Sequence, residues 1–148
     1  MINLENILSD WEKDSQINEH DLSGSSVDSA KLHAKYLQLL SISKLQLKKA
    51  ELAQKSLLKN KWLYYNGKMD YDKITELGWE HDPFDGLKVM KGEMDYYYDS
   101  DIDIQKSEEK ILYFKTICET LTEIVETLRW RHQTIGNIIK WKQFQSGG

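Results

Sequence analysis

The chain has 148 residues, 30% of them charged, and a formal net charge of −4. That length suits one domain with one core. The lone Cys118 excludes an intrachain disulfide and suits a reducing cytosol, and no apolar run is long enough to span a membrane. The opening MINLENILSDWEKD is acidic and shows no cleavage site, which argues against a secretory signal.

A first helix is expected from about Leu4 to Lys13. Asn3 can cap it, and Leu4, Ile7, Leu8 and Trp11 recur at helical spacing. Asp14 to Ser26 is polar, and Ser23-Gly24-Ser25-Ser26 reads as a loop or hinge. A long second helix is expected from about Val27 to Tyr65, with neither Gly nor Pro before Gly67. One apolar stripe on it holds Leu39, Leu40, Leu47, Ala50, Leu57 and Leu58; another holds Leu45, Leu52 and Leu63. A surface helix shows one stripe, so two imply packing on two sides. Asn66-Gly67 supplies a turn or cap.

Asp72 to Leu77 fits a short helix before Gly78, and Asp82-Pro83-Phe84-Asp85-Gly86 is a turn. Glu93 to Asp103 sets Tyr96, Tyr97 and Tyr98 among acids, a pattern that suits a short strand, an irregular loop or a partly mobile segment. The last helix is expected from Ile104 or Ser107 to Gln145. Its heptad runs Ile111, Phe114, Cys118, Leu121, Val125, Leu128, His132, Ile135 and Ile139, widened by Ile117, Ile124 and Ile138. Such spacing sets the geometry of a seam but not its partner, which is either another copy of the chain or the second helix. His132, at a core position of the heptad, reads as a packed residue.

The modest net charge conceals segregation. Residues 1–28 carry seven acids and one lysine, residues 29–68 nine lysines and one acid, and residues 69–109 thirteen acids and four lysines; residues 127–148 are basic without an acid. A polyanion responds to the local patch, not to the total. Within the basic segment, Lys55, Lys59, Lys61 and Lys68 can neutralise phosphates while Trp62, Tyr64 and Tyr65 offer flat ring faces. Single-stranded nucleic acid requires this pair of features, cations for its backbone and aromatic platforms for its exposed bases. The same composition also suits a solvated lysine face on an amphipathic helix.

The runs Leu32-His33-Ala34-Lys35-Tyr36-Leu37, Lys48-Lys49-Ala50-Glu51 and Leu58-Lys59-Asn60-Lys61-Trp62-Leu63-Tyr64-Tyr65-Asn66-Gly67-Lys68 resemble the UvsY family of phage recombination mediators, of the T-even and cyanophage type. The centre of the match is a Leu-Lys-x-(Arg/Lys)-x-x-Tyr-Tyr-x-Gly-(Arg/Lys) pattern, and the specific likeness covers about a quarter of the chain. Lysine stands at Lys61 where the T-even pattern has arginine, which keeps the charge and loses the planar fork. Residues 69–103 depart most from that pattern. The resemblance implies DNA-binding positions at Lys59 and Lys61. It also implies single-stranded DNA, a phage RecA-like recombinase and a phage single-strand-binding protein as partners. Further implications are a homo-oligomer, hexameric or heptameric as a ring, and action in the cytoplasm of the infected bacterial host.

Other constellations lack parts. Asp99-x-Asp101-x-Asp103 resembles the start of a calcium loop, but Ile104 and Lys110 stand where it needs Gly and Glu. His20, His33, His81 and His132 have no metal spacing with one another or with Cys118. Glu80-His81-Asp82 lies in a segment crowded with acids and reads as a loop, and no Gly-rich phosphate loop or nucleophile elbow is present.

These readings predict an all-α chain forming a long, hairpin-like helical bundle. Residues 1–68 would hold the N-terminal helices and the DNA-binding segment, 69–103 an acidic irregular connector, and 104–148 a C-terminal oligomerisation helix. Neither an enzyme, a cofactor nor a metal is expected. The alternative is a coiled-coil scaffold without DNA binding.

Overall fold

The computed structural model describes residues 2–147, and every regular element among them is helical: α1 (Leu4–Asp14), α2 (Leu22–Tyr65), α3 (Tyr71–Leu77), a 3₁₀ turn (Lys91–Glu93), α4 (Met94–Asp99) and α5 (Ile102–Gln145). The residues cluster into two compact units, one of residues 1–46 and 113–148, the other of residues 47–112. The division therefore falls within α2 and α5, not at residues 68 and 103 where composition changes.

In the first unit, Asn3 caps α1 by accepting from the Asn6 amide at 3.1 Å. The run Ser23 to Ser26, expected as a loop, is the first turn of α2. Asp21 makes it so: its carboxylate accepts from the Gly24 amide at 2.9 Å and its carbonyl from the Ser25 amide at 3.0 Å. A Cβ at Gly24 would lie 2.2 Å from the Asp21 carboxylate, so a larger residue there would push the capping side chain aside.

The core of this unit holds Ile7, Tyr36, Leu40, Ile117, Cys118, Leu121, Ile124, Val125, Leu128 and Ile135. Tyr36 is fully buried; it donates to Asp14 Oδ2 at 2.8 Å, and Trp11 meets its ring edge-on at 5.5 Å. Lys35 pairs with the same carboxylate at 2.7 Å. The heptad is thus largely consumed inside the chain. Cys118, Leu121, Val125, Leu128 and Ile135 are buried, Ile111 and Phe114 half-buried, and Ile139 is 40% exposed.

His132 is exposed instead of packed, and Arg131 takes the inward place. The Arg131 guanidinium donates to the carbonyls of Asp14, Ser15 and Gln16 at 3.1, 3.4 and 3.1 Å, the unpaired acceptors at the end of α1.

The second unit closes on rings. Tyr64 lies against Tyr65 and Trp79, both at 5.0 Å, and Tyr65 meets Tyr98 at 5.3 Å while Phe84 meets Tyr97 at 4.8 Å. These contacts explain why the tyrosine-rich stretch is α4 and not a strand: a helical turn sends Tyr97 and Tyr98 inward and leaves Tyr96 75% exposed. Gly78 ends α3 in the left-handed conformation (φ 73°). Asp82 holds the expected turn by accepting from the amides of Phe84 and Gly86 at 3.2 and 2.7 Å. Of the two stripes on α2, Leu40 and Ala50 are buried, whereas Leu45 and Leu52 stand 73% and 50% exposed.

Because Leu121 is fully buried, Leu121→Asp should abolish cooperative thermal unfolding of the first unit instead of merely releasing subunits. Circular dichroism melts check this. Burial pushes the Cys118 thiol above its ordinary pKa, reinforced by Glu119 and opposed by Lys44. Cys118 should therefore resist alkylation in native buffer and react fully in denaturant, as read by mass spectrometry.

Candidate nucleic-acid interface

An α-helix turns about 100° per residue, so residues separated by seven, four and three share a face. Lys48, Lys55, Lys59 and Trp62 have this spacing, and all four are exposed on α2. They form a row about 21 Å long at 1.5 Å per residue. At its end the Trp62 ring is 47% exposed, and Lys68 Nζ lies 4.5 Å from the ring centroid, a cation–π contact. The α2 terminus is regular: the Gly67 amide donates to the Tyr64 carbonyl and the Lys68 amide to that of Leu63 at 2.8 Å. This fold-back brings Lys68 to Trp62.

Lys61 lies about 200° from Lys59 around the helix, and it points the other way. It is 3% exposed, with Nζ 2.9 Å from both Asp101 Oδ2 and Asp103 Oδ2 and 3.8 Å from the Trp79 ring centroid. The expectation that Lys61 offers a charge to phosphate does not fit this burial.

Asp101 is the hub. Its Oδ2 also accepts from the Tyr65 hydroxyl at 2.6 Å, and its Oδ1 accepts from the Asp103 and Ile104 amides at 2.9 and 3.0 Å, capping α5. Burial acts to raise the Asp101 pKa, but the hydrogen bonds from Lys61, Tyr65 and the Ile104 amide, with the Lys61 charge, overcome it and hold the carboxyl below its ordinary value. Burial and the bond to Asp101 push the Tyr65 phenol upward.

Tyr64 is likewise internal: it is 7% exposed and its hydroxyl donates to the Glu80 carbonyl. Of the seven residues singled out in the sequence, Lys55, Lys59, Trp62 and Lys68 therefore come together on the surface, while Lys61, Tyr64 and Tyr65 build the second unit. Lys48 completes the row, and the helical arithmetic alone could have found it. The remaining sequence candidates are occupied locally. His81 stacks on Tyr71 at 3.9 Å and its Nε2 lies 3.1 Å from Thr75 Oγ1.

A lysine row ending on an exposed tryptophan, on a helical frame, has the chemistry that a helical protein binding single-stranded nucleic acid needs: cations for the phosphates and a flat ring for a base. The chain belongs to the UvsY family, described as recombination, repair and ssDNA binding protein, which matches residues 10–148. The fold is that of crystal structures of the bacteriophage T4 recombination mediator protein UvsY. The lattice type II structure is 22% identical with a TM-score of 0.82, covering 99% of each chain. Types IV and I are each 21% identical with a TM-score of 0.79; they cover 97% and 95% of this chain and 99% and 98% of theirs. No curated protein matches the chain in sequence.

Removing one partner of a buried ion pair costs about 3–5 kcal/mol, whereas an exposed substitution stays within about 0.5 kcal/mol. Lys61→Ala should therefore lower the urea midpoint sharply and Lys59→Ala hardly at all. The stabilisation from Asp101 is present above the ordinary carboxylate range and is lost as pH falls through its depressed folded value. Asp101→Asn should flatten the acid limb of the stability profile, measured by urea unfolding between about pH 2 and 5.

Proposed function

We propose that the protein is a recombination mediator that binds single-stranded DNA along Lys48, Lys55 and Lys59, with Trp62 and Lys68 at the end of the row. The observation that carries this reading is the exposure of these five residues together, while the acids Asp101 and Asp103 are engaged with Lys61. The lysines neutralise phosphates, and base stacking falls to Trp62, since Tyr64 and Tyr65 are engaged in the ring cluster.

The protein acts by binding and not by bond chemistry. Holding the strand in an altered path weakens the grip of a single-strand-binding protein and favours filament assembly by a RecA-like recombinase, a coupling of binding free energies. Several copies acting together multiply the effect, because one strand engages many rows at high effective concentration. Assembly uses apolar residues the chain leaves open, Leu45, Leu52, Trp130, Trp141 and Phe144, and not the heptad positions Cys118 to Ile135 that are buried in the first unit's core. Burial of those positions also weighs against a plain coiled-coil scaffold. The setting is the cytoplasm of a phage-infected bacterium.

Lys55→Ala with Lys59→Ala should weaken binding to labelled poly-pyrimidine strands and reduce the salt slope by about 0.7 for each phosphate no longer neutralised. Fluorescence anisotropy across a salt series measures both. Wild-type affinity and slope in this double variant would refute the reading. In parallel, Trp141→Asp with Phe144→Asp should reduce the mass seen by light scattering without loss of helix content.

A further inference from the structure

We infer that Trp62 is one wall of a nucleobase pocket whose other wall is built by the acidic connector. The pocket is an open groove of about 480 Å³, lined by Trp62, Asn66, Val89, Lys91, Met94, Asp95 and Tyr98. This assignment rests on the reading of the lysine row as a strand-binding face, and it adds the segment after residue 88 to that face.

Three observations point to an unstacked base as the occupant. First, the groove begins at the residue where the lysine row ends, so a strand lying along Lys48, Lys55 and Lys59 arrives at its mouth. Second, the lining pairs flat and flexible apolar surface, the Trp62 ring with Met94 and Val89, with polar groups: a base offers two apolar faces and a polar edge and needs both. Asn66 Nδ2 donates to the Trp62 carbonyl at 2.8 Å and to the Tyr98 hydroxyl at 3.2 Å. Because that hydroxyl oxygen accepts from Asn66, its proton is free to reach a base carbonyl. The Asp95 carboxylate supplies an acceptor for a base N–H. Third, Lys68 lies over the ring at 4.5 Å and Lys91 lines the groove, two cations available to the phosphates that flank an inserted base.

The test compares a poly-thymidine strand with a strand of equal length and charge in which every base is replaced by an abasic residue, both measured by anisotropy at one salt concentration on the full-length protein. Wild type should bind the intact strand at least about five- to 150-fold more tightly, the range for removing one stacked base. Trp62→Ala should abolish that preference. Tyr98→Phe, which keeps the ring packed on Tyr65 and removes only the hydroxyl, should reduce it several-fold. Met94→Glu, which fills the groove with a like charge, should abolish it even if Trp62→Ala fails to fold. Equal affinity of wild type for the two strands overturns the pocket, as does a preference that survives both Trp62→Ala and Met94→Glu. If binding to both strands ignores the Lys55 and Lys59 substitutions, it is the strand-binding reading itself that fails.

Discussion

The second unit depends on one buried carboxylate. Asp101 receives Lys61 from the penultimate turn of α2, Tyr65 from its last residue, and two amides from the start of α5. A buried carboxylate is tolerated only when it is paired and its lone pairs are filled, and here the partners are drawn from both long helices within the same small unit. The cap explains why α5 begins at Ile102, and the Tyr65 bond directs that ring toward Phe84, Tyr97 and Tyr98. Weaken this centre and the ring cluster loses its anchor.

The first unit shows the same logic with the opposite sign. Arg131 is buried among three carbonyls at the end of α1, and Asp14 adds a charge that pairs with Lys35 and accepts from Tyr36. Burial acts to raise the Asp14 pKa, but Lys35 and Tyr36 outweigh it and hold the carboxyl low. In each unit a charge drawn from a highly charged sequence is used as an internal fastener. What remains outside is a sorted surface. Lys48, Lys55 and Lys59 share a face of α2 while Lys61 is withdrawn to the opposite side, so charges two residues apart end in opposite settings.

Helical order was legible from composition and spacing because those signals are local. The absence of Pro from α2, the Asn3 cap, the Gly78 stop and the Asp82 turn each act over a few residues, and each appears where its chemistry requires. The lysine row is local too, a matter of seven, four and three. The loop reading of Ser23 to Ser26 failed for a local reason as well: serine and glycine are common in loops, but here Asp21 supplies the cap that starts a helix on them.

Sequence by itself determined that the chain is helical, that its charge is segregated and that its basic segment carries aromatic rings. Tertiary structure alone decided which of those residues face water. Spacing shows that Lys59 and Lys61 diverge, but only the long-range arrival of Asp101 and Asp103 makes Lys61 the inward one. The heptad of α5 has the same character. Its period specifies a seam, and whether the seam closes on the same chain depends on which apolar faces come to meet it, which for Leu121 and Leu128 is the first unit's own core. Burial is a property of pairs of distant segments, and a one-dimensional pattern carries each half of such a pair without the match between them.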